Sequence, residues 1–288
     1  MTAVHAIVTG GSSGIGRAFA RKLAAAGYDL TLIARREDKL DAAAAEMRGV
    51  FVRPDQRVQV LSANVADAGQ AEAAVAAASR AFGTPDLVVT SAGIAVPHYF
   101  EDTPLEVHER SMAVNYFGSL YVVRAALPAM RARRRGRILL VSSGAGLMGL
   151  FGYTSYSPSK FALRGLAEAL RAELRGDNVG VSIVYPPDTE TPMLEEENKT
   201  KPEETKLMTG VVKTWTAEAV AACMMRGIER GAFGITPGWQ LTMMNRTPGL
   251  MIPLLHWYCD RLAAGVRRKR QRGAGAELPQ APTSHRAI

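Results

Sequence analysis

The segment Tyr156-Ser-Pro-Ser-Lys160 carries a phenol and an ammonium that could act together on a proton. Pro158 suits the first turn of a helix, where no amide donor is required, so the segment predicts a helix start. Residues four apart share a helix face, and a nearby cation stabilises a phenolate and lowers the pKa of the phenol. Tyr156 could therefore act as a general acid or base with Lys160 beside it.

Ser143 ends a predicted strand 13 residues before Tyr156. The intervening residues would form a loop that brings both hydroxyls to one carbonyl group. A tyrosine and a lysine at this spacing are common on surface helices. The interpretation therefore depends on what the rest of the chain places next to them.

A glycine-rich turn, Thr9-Gly-Gly-Ser-Ser-Gly-Ile-Gly16, separates the first predicted strand from the first predicted helix. Glycine lets the backbone approach a ligand closely, and a helix N-terminus presents free amides to an anion. A turn between a strand and a helix is the setting that a dinucleotide pyrophosphate requires. Contacts are predicted from Gly10, Ser12, Ser13, Gly14, Ile15 and Gly16.

The end of the second predicted strand indicates which dinucleotide would bind. A carboxylate about 20 residues after the glycines would bind a ribose 2′-hydroxyl. This chain has Arg35 and Arg36 there, with Lys39 one helical turn on. Cations suit a 2′-phosphate, so NADPH or NADP+ is expected, with a solvated helix start as the alternative. Further contacts are predicted from Asn64, Val65, Ala92 and Gly93, which follow the third and fourth strands.

Hydrophobic strands alternate with helical stretches along most of the chain. Strands are predicted over 3–9, 30–34, 57–61, 86–90, 137–141, 179–185 and 233–235, and helices over 17–26, 37–48, 68–82, 107–134, 157–175 and 217–230. This pattern predicts an α/β fold, a Rossmann-like doubly wound parallel sheet of seven strands with helices on both faces. The polar stretch 186–216 interrupts the alternation and is expected to be a lid or substrate loop.

The composition excludes several classes of protein. The 288 residues are 47% hydrophobic and 22% charged, which rules out a mostly disordered chain. Two cysteines, no signal peptide and no membrane-spanning run favour a cytoplasmic location. The net charge is +8, but seven basic residues and one acidic residue lie from Arg261 onwards, which leaves +2 for the first 260 residues. Nucleic-acid binding is not expected, because this basic tail lacks interleaved aromatic residues.

Together the motifs resemble the short-chain dehydrogenase/reductase family over roughly residues 4–238. The glycine turn, Ser91-Ala-Gly93, Asn115, Ser143 and Tyr156-Ser-Pro-Ser-Lys160 carry the resemblance. It implies that Tyr156 donates a proton to a reduced carbonyl and that Ser143 polarises this carbonyl. It also implies that Lys160 lowers the tyrosine pKa and bonds the nicotinamide ribose, while Asn115 holds a water that links the lysine to solvent.

Three positions depart from the family pattern. Asn64 stands where an aspartate is usual, Ser91 replaces an asparagine, and Pro186-Pro187 replaces Pro-Gly. The first two changes adjust hydrogen bonds, whereas the third changes how a nicotinamide carboxamide would be held. Contacts on that side are predicted from Pro186, Thr189 and Thr191.

A closer resemblance is to the 3-ketosphinganine (3-ketodihydrosphingosine) reductases within that family. It lies in residues 34–40, 149–156, 160–170, 185–192 and 196–202, the last in a loop that varies strongly across the wider family. It implies NADPH-dependent reduction of this long-chain amino ketone to sphinganine in sphingolipid synthesis. Leu147, Phe151 and Tyr153 are then predicted to line a pocket for the alkyl chain, or else to pack in the core. Asp188 is predicted to face the substrate ammonium, the alternative being a solvated charged loop.

Two other functions stay open at this stage. One is the same chemistry on another hydrophobic ketone, such as a steroid or a 3-oxoacyl lipid. The other is a catalytically idle NADPH-binding protein that acts through partners, although the intact Asn115, Ser143, Tyr156 and Lys160 set argues against it.

The predicted domain organisation is a catalytic, NADPH-binding domain over 1–238, an extension over 239–272 and a disordered tail over 273–288. In the extension, a hydrophobic stretch that ends in Trp257 and Tyr258 precedes a cluster of arginines and lysines. This pattern suits an anionic membrane surface, so peripheral attachment to the cytosolic face is expected through 248–272. Packing on the body or on another subunit is the alternative. The family resemblance also implies a homo-oligomer, either a dimer or a tetramer.

Overall fold

The computed structural model describes residues 4–210 and 213–276. The strands are β1 (His5–Thr9), β2 (Asp29–Ala34), β3 (Val58–Ser62), β4 (Leu87–Thr90), β5 (Gly136–Val141), β6 (Val179–Val184), β7 (Thr189–Glu190), β8 (Trp215–Thr216) and β9 (Gly234–Ile235). The helices are α1 (Gly14–Ala25), α2 (Glu37–Arg48), α3 (Ala68–Phe82), α4 (Leu105–Ser111), α5 (Gly118–Ala132), α6 (Ser157–Glu173), α7 (Pro192–Thr200), α8 (Glu203–Thr209), α9 (Ala217–Glu229), α10 (Trp239–Arg246) and α11 (Pro248–Ala276).

Seven of these strands form one parallel sheet in the order β3-β2-β1-β4-β5-β6-β9. The predicted doubly wound sheet is therefore confirmed. The strand order changes direction between β1 and β4, because the chain goes outwards from β1 to β3 and then returns to the other side of β1. In sheets of this kind, ligands bind in the crevice at the carboxyl ends of the strands beside such a reversal.

Alternate side chains of each strand enter two separate cores. Ala6 and Val8 of β1 pack with α1, α2 and α9, whereas Ile7 faces α3, α5 and α6. Both faces of the sheet are buried in this way, which is why the strands are hydrophobic at nearly every position. The two helical layers pack against the whole sheet and leave its carboxyl edge open for a site.

The segment 186–216, which the sequence predicts to be a lid or substrate loop, contains α7, α8 and a small parallel pair of strands, β7 and β8. Thr191 caps α7 by accepting a hydrogen bond from the Leu194 amide at 3.3 Å, and Pro192 fills the first helical position. α8 begins directly after Pro202. The Thr-Pro sequence signals a helix start, but the polar composition around it indicated a loop.

The C-terminal extension is helical and packs back on this segment. Val266 of α11 is buried, and the Lys269 ammonium lies 3.9 Å from the Glu203 carboxylate of α8. α11 ends at Ala276, so it includes the first residues of the predicted tail, and residues 277–288 lie outside the described residues. In the described part of the chain, no helix is both long and hydrophobic enough to cross a membrane.

One predicted pocket residue belongs to the core instead. Leu147 is 2% exposed and packs with Leu163 of α6 and Leu241 of α10. The short 3₁₀ turn Gly144–Gly146, which follows β5, directs this side chain inwards. The structure thus corrects the prediction that Leu147 lines a pocket, and it supports the alternative of core packing at this position.

Candidate active site

A cavity opens at the carboxyl ends of β1, β4, β5 and β6, and we refer to it as the central cavity. The glycine turn forms one side of it, the residues around Ser143 and Tyr156 form another, and the segment after β6 closes it. Its lining includes Gly10, Ser13, Gly14, Ile15, Gly16, Ala92, Gly93, Ser143, Leu150, Tyr153, Tyr156, Lys160, Pro186, Pro187, Asp188, Thr189, Thr191, Met193, Leu194 and Glu197. Most of the predicted site residues are therefore brought to one place.

The glycine turn is shaped by close backbone contacts. Gly10 has a φ of +66°, and a Cβ there would lie 2.8 Å from the Ser91 carbonyl oxygen. A Cβ on Gly16 would collide with the carbonyl of Gly10. The Thr9 hydroxyl accepts hydrogen bonds from the amides of Ser91 and Ala92 at 3.1 and 3.2 Å, so it joins the ends of β1 and β4.

These contacts leave the N-terminus of α1 facing the central cavity, since Gly14, Ile15 and Gly16 all belong to its lining. α1 is 12 residues long, and its first amides and positive dipole end suit a phosphate group. The residues present thus fit the pyrophosphate of a dinucleotide. Ser12 is buried and does not line the cavity, unlike the other residues of the turn for which a cofactor contact is predicted.

Tyr156 and Lys160 lie together on the opposite side of the cavity. α6 begins at Ser157, immediately after Tyr156, and the two side chains are 6% and 4% exposed. The Lys160 ammonium donates to the Val141 carbonyl at 3.1 Å and lies 5.4 Å from the centre of the Tyr156 ring. The sequence correctly placed these two groups as neighbours, with Ser143 beside them in the lining.

The surroundings of Tyr156 keep its phenol protonated. Burial raises the pKa of Tyr156 well above its ordinary value of 10, and the charges of Glu197 and Asp188 raise it further. A hydrogen bond with the Ser143 hydroxyl lowers the pKa, although burial outweighs this effect. The sequence predicts that Lys160 also lowers the pKa of Tyr156, and this role stays a prediction, with the ammonium 5.4 Å from the ring centre. Burial also lowers the pKa of Lys160 to about 8.

Asn115 holds two parts of the site together. It lies in a π-helical turn, Met112–Phe117, that interrupts the long helix predicted over 107–134, and such turns are frequent at functional sites. Its amide oxygen accepts from the Ile94 amide at 2.8 Å, while its nitrogen donates to the Ile94 carbonyl at 3.0 Å and to the Ser159 hydroxyl at 2.9 Å. Asn115 thereby fixes the segment after β4 against α6 next to Lys160. Its predicted role in holding a water stays a prediction.

The loop before Tyr156 contributes fewer cavity residues than predicted. Tyr153 and Leu150 line the cavity, and the Tyr153 ring lies 5.6 Å from the Tyr156 ring. Phe151 is outside the lining: its ring makes an edge contact with Tyr99, and its carbonyl accepts a hydrogen bond from the Thr205 hydroxyl at 2.7 Å. The predicted pocket role of Phe151 is therefore corrected, because this residue attaches the loop to α8 instead.

Asp188 lies in the cavity lining but already has a partner. The Lys201 ammonium, itself buried, donates to the Asp188 carboxylate at 3.0 Å and lies 3.9 Å from the Glu197 carboxylate. The Tyr153 hydroxyl donates to Glu197 at 2.5 Å. The sequence predicts Asp188 as the carboxylate that faces the substrate ammonium. The structure shows that Asp188 is paired with Lys201 and that Glu197 is the carboxylate bonded to Tyr153, next to Tyr156.

A second group of predicted cofactor contacts lies outside the central cavity, at the carboxyl ends of β2 and β3. Arg35, Arg36, Lys39 and Asn64 are exposed there, and Val65 is buried against Gly118. The Gly10 amide donates to the Ile33 carbonyl at 2.8 Å, which places the end of β2 beside the glycine turn. The exposed residues at the ends of β2 and β3 could therefore contact the adenosine half of a dinucleotide that extends from the glycine turn.

Comparisons with known proteins agree with this geometry. A family model described as short chain dehydrogenase matches residues 4–202. The 3-dehydrosphinganine reductase of Danio rerio is 44% identical over 234 residues, which cover 81% of this chain and 70% of that protein. The 3-ketodihydrosphingosine reductase of Bos taurus is 42% identical over 251 residues, which cover 87% of this chain and 76% of that protein.

Solved structures show the same fold. Levodione reductase superposes with a TM-score of 0.74 at 25% identity, covering 81% of this chain and 94% of its own. An alcohol dehydrogenase from the archaeon Thermococcus sibiricus, complexed with 5-hydroxy-NADP, gives a TM-score of 0.69 at 25% identity, covering 81% and 95%. The chain therefore belongs to the short-chain dehydrogenase family, whose enzymes are oxidoreductases that use a nicotinamide cofactor.

Proposed function

We propose that the protein reduces 3-ketosphinganine to sphinganine with NADPH. The observation that supports this proposal best is the buried Tyr156 beside Lys160 and Ser143, in a cavity that extends from the glycine turn. The choice of ketone rests on the relatives, which carry the name of this reductase at 42–44% identity over most of the chain.

The residues of the cavity can perform each proton step of such a reduction. When bound, the cofactor supplies a hydride to the carbonyl carbon. Tyr156 then gives its proton to the carbonyl oxygen, and the Ser143 hydroxyl orients and polarises the same oxygen. The resulting phenolate is stabilised by the buried ammonium of Lys160, whose pKa of about 8 also allows it to pass on a proton. The ketone becomes an alcohol, and no other reductant is needed.

NADPH is favoured over NADH by the charges at the end of β2. Arg35, Arg36 and Lys39 are exposed at the edge of the sheet that adjoins the glycine turn, and no carboxylate takes the place next to Ala34. A guanidinium can bind the 2′-phosphate through two parallel hydrogen bonds. Exposure suits this role, because these side chains must be free to reach the ligand.

The cavity also offers hydrophobic surface for an alkyl chain. Leu150 and Met193 contact the group formed by Ala145, Tyr153 and Tyr156, and Leu194 completes the lining on α7. These residues come from the loop before Tyr156 and from the segment after β6. A long-chain ketone could therefore place its carbonyl at Tyr156 while its chain lies between these two segments.

The protein is further proposed to lie on the surface of a membrane. Leu250, Leu254, Trp257 and Tyr258 follow one face of α11, and Leu254 and Trp257 are 57% and 58% exposed. The opposite face contacts the body through Val266. The Arg261 guanidinium lies 4.5 Å from the Trp257 ring centre, and further exposed basic residues follow along α11. This combination favours anionic lipid headgroups.

The predicted homo-oligomer stays a prediction. It is supported by partly exposed phenylalanines, Phe117 next to α5 and Phe161 on α6, which are 39% and 41% exposed.

The proposed activity is tested by following NADPH oxidation with 3-ketosphinganine, and with a steroid ketone for comparison. Wild type is expected to prefer 3-ketosphinganine. Tyr156→Phe should lower kcat about 100- to 10,000-fold because the proton donor is lost. Tyr121→Phe, a substitution on α5 outside the cavity, is the matched control and should retain activity. Equal use of the steroid, or full activity of Tyr156→Phe, would contradict the proposal.

Cofactor preference is tested with Arg35→Ala. Loss of a charge-assisted contact to the 2′-phosphate should lower the ratio of kcat/KM for NADPH to that for NADH by about 10- to 100-fold. Arg48→Ala, an exposed arginine at the other end of α2, should leave the ratio unchanged. An unaltered ratio in Arg35→Ala would show that the arginines at the end of β2 do not select the cofactor.

Membrane attachment is tested by flotation with phosphatidylcholine vesicles that contain or lack phosphatidylserine. Wild type should float with the anionic vesicles, and the double variant Leu254→Ser/Trp257→Ser should partition more than 10-fold less, since each side chain loses about 1.5–3 kcal/mol of burial. Val52→Ser, at an exposed hydrophobic position far from α11, is the control. Equal flotation of the double variant and wild type would rule out this face of α11 as the contact.

A further inference from the structure

Glu197 is a carboxylate enclosed next to the reactive tyrosine. It lies on α7, is 7% exposed and belongs to the lining of the central cavity together with Tyr153 and Tyr156. A buried carboxylate is costly unless a hydrogen bond or an opposite charge compensates it. The way in which this one is compensated therefore indicates what else it can bind.

One oxygen of Glu197 accounts for all of its described contacts. The Tyr153 hydroxyl donates to Oε2 at 2.5 Å, and the Lys201 ammonium lies 3.9 Å from the same oxygen. Among residues 4–210 and 213–276, no hydrogen bond reaches Oε1. Oε1 is also absent from the buried, unpaired atoms of that part of the chain, so it keeps some accessible surface, and Glu197 is part of the cavity lining.

The cation nearest to Glu197, the Lys201 ammonium, is bound more closely to Asp188. Lys201 donates to Asp188 at 3.0 Å, which is a closer contact than its 3.9 Å approach to Glu197. Lys160 donates to the Val141 carbonyl at 3.1 Å. The negative charge of Glu197 is therefore incompletely balanced, and its pKa is raised because it is buried. A cationic ligand at Oε1 would complete the compensation.

The position of Glu197 suits a cation that is attached close to the reacting carbonyl. The Tyr153 hydroxyl binds Glu197, and the Tyr153 and Tyr156 ring centres are 5.6 Å apart. In 3-ketosphinganine the amino group is on the carbon next to the carbonyl. When the carbonyl oxygen contacts Tyr156, the ammonium lies only a few bonds from that oxygen, and an orientation that turns the amine towards Tyr153 brings it to Glu197.

We propose that Glu197 binds the ammonium group of the substrate and selects 2-amino ketones over ketones without an amine. This inference rests on the proposed function, because it specifies how the enzyme would recognise that substrate. Tyr153 and Lys201 act as positioning residues, because they hold the carboxylate through Oε2 and leave Oε1 for the substrate. Asp188, which the sequence suggested for this role, balances Lys201 instead.

Binding of the ammonium would also assist the reaction. The charge of Glu197 raises the pKa of Tyr156 and so makes its phenol a weaker acid. A substrate ammonium at Glu197 neutralises that charge next to Tyr156. An amino ketone would thereby promote the proton transfer that completes its own reduction, whereas a ketone without the amine would not.

The test compares two ketones on wild type, Glu197→Gln and Glu196→Gln. The substrates are 3-ketosphinganine and 1-hydroxyoctadecan-3-one, which differs from it only in lacking the amine. Wild type should prefer the amino ketone in kcat/KM, and Glu197→Gln should reduce this preference at least 10-fold, mainly through kcat/KM for the amino ketone. Glu196, the exposed neighbour on α7 that pairs with Lys199 at 2.6 Å, provides the matched control and should keep the preference.

Each outcome separates the two proposals. If wild type reduces neither ketone, the proposed function fails, and this inference fails with it. If wild type reduces both equally well, or if folded Glu197→Gln keeps the preference, only the role of Glu197 is overturned. The wild-type preference needs no substitution, so the inference can be refuted even if Glu197→Gln does not fold. Thermal unfolding and NADPH binding verify that the variant is intact.

Discussion

The site depends on the exclusion of water from Tyr156 and Lys160. Because both side chains are buried, their protonation is decided by a few neighbouring groups. Burial and nearby carboxylates favour the neutral phenol, the Ser143 hydroxyl opposes them, and the ammonium of Lys160 is held by a backbone carbonyl. A neutral phenol is the form that a carbonyl reduction requires, since the alkoxide produced must receive a proton. The same enclosure strengthens the effect of nearby charges, so Glu197 and Asp188 raise the pKa of Tyr156.

The fold supplies this enclosure in a simple way. The carboxyl ends of β1 and β4 carry the glycine turn and the segment that packs on it, while the end of β5 carries Ser143. Asn115 connects the segment after β4 to α6, so the two halves of the site are held in register. The segment after β6 then covers the cavity with α7, whose Thr191 touches the glycine turn at Gly14. The strand ends thus position Ser143 and the glycine turn, and α7 contributes Met193, Leu194 and Glu197 to the lining of the cavity.

The sequence predicted the parts of the molecule that follow from local rules. Strand and helix periodicity led to the sheet, and the family motifs led to Tyr156, Lys160, Ser143 and the glycine turn. It could not predict contacts that depend on the packing of the segment after β6. The amino-acid pattern cannot show whether Asp188 or Glu197 is left to bind a substrate cation. That depends on which carboxylate lies closer to Lys201, and this is Asp188. Leu147 and Phe151 were misplaced for a similar reason, since a hydrophobic loop beside a site can face either the cavity or the core.

The protonation state of Tyr156 decides whether the site can work as described: the protein environment keeps Tyr156 a neutral phenol that can donate its proton. It can be measured directly by NMR titration of the full chain with tyrosine labelled with ¹³C at Cζ, with the Tyr156 signal assigned from Tyr156→Phe. The account predicts that the signal of Tyr156 stays that of the protonated phenol at pH 10, where an ordinary tyrosine is half ionised. A midpoint at or below pH 10 would contradict it, because the phenol would then be no harder to ionise than one in water.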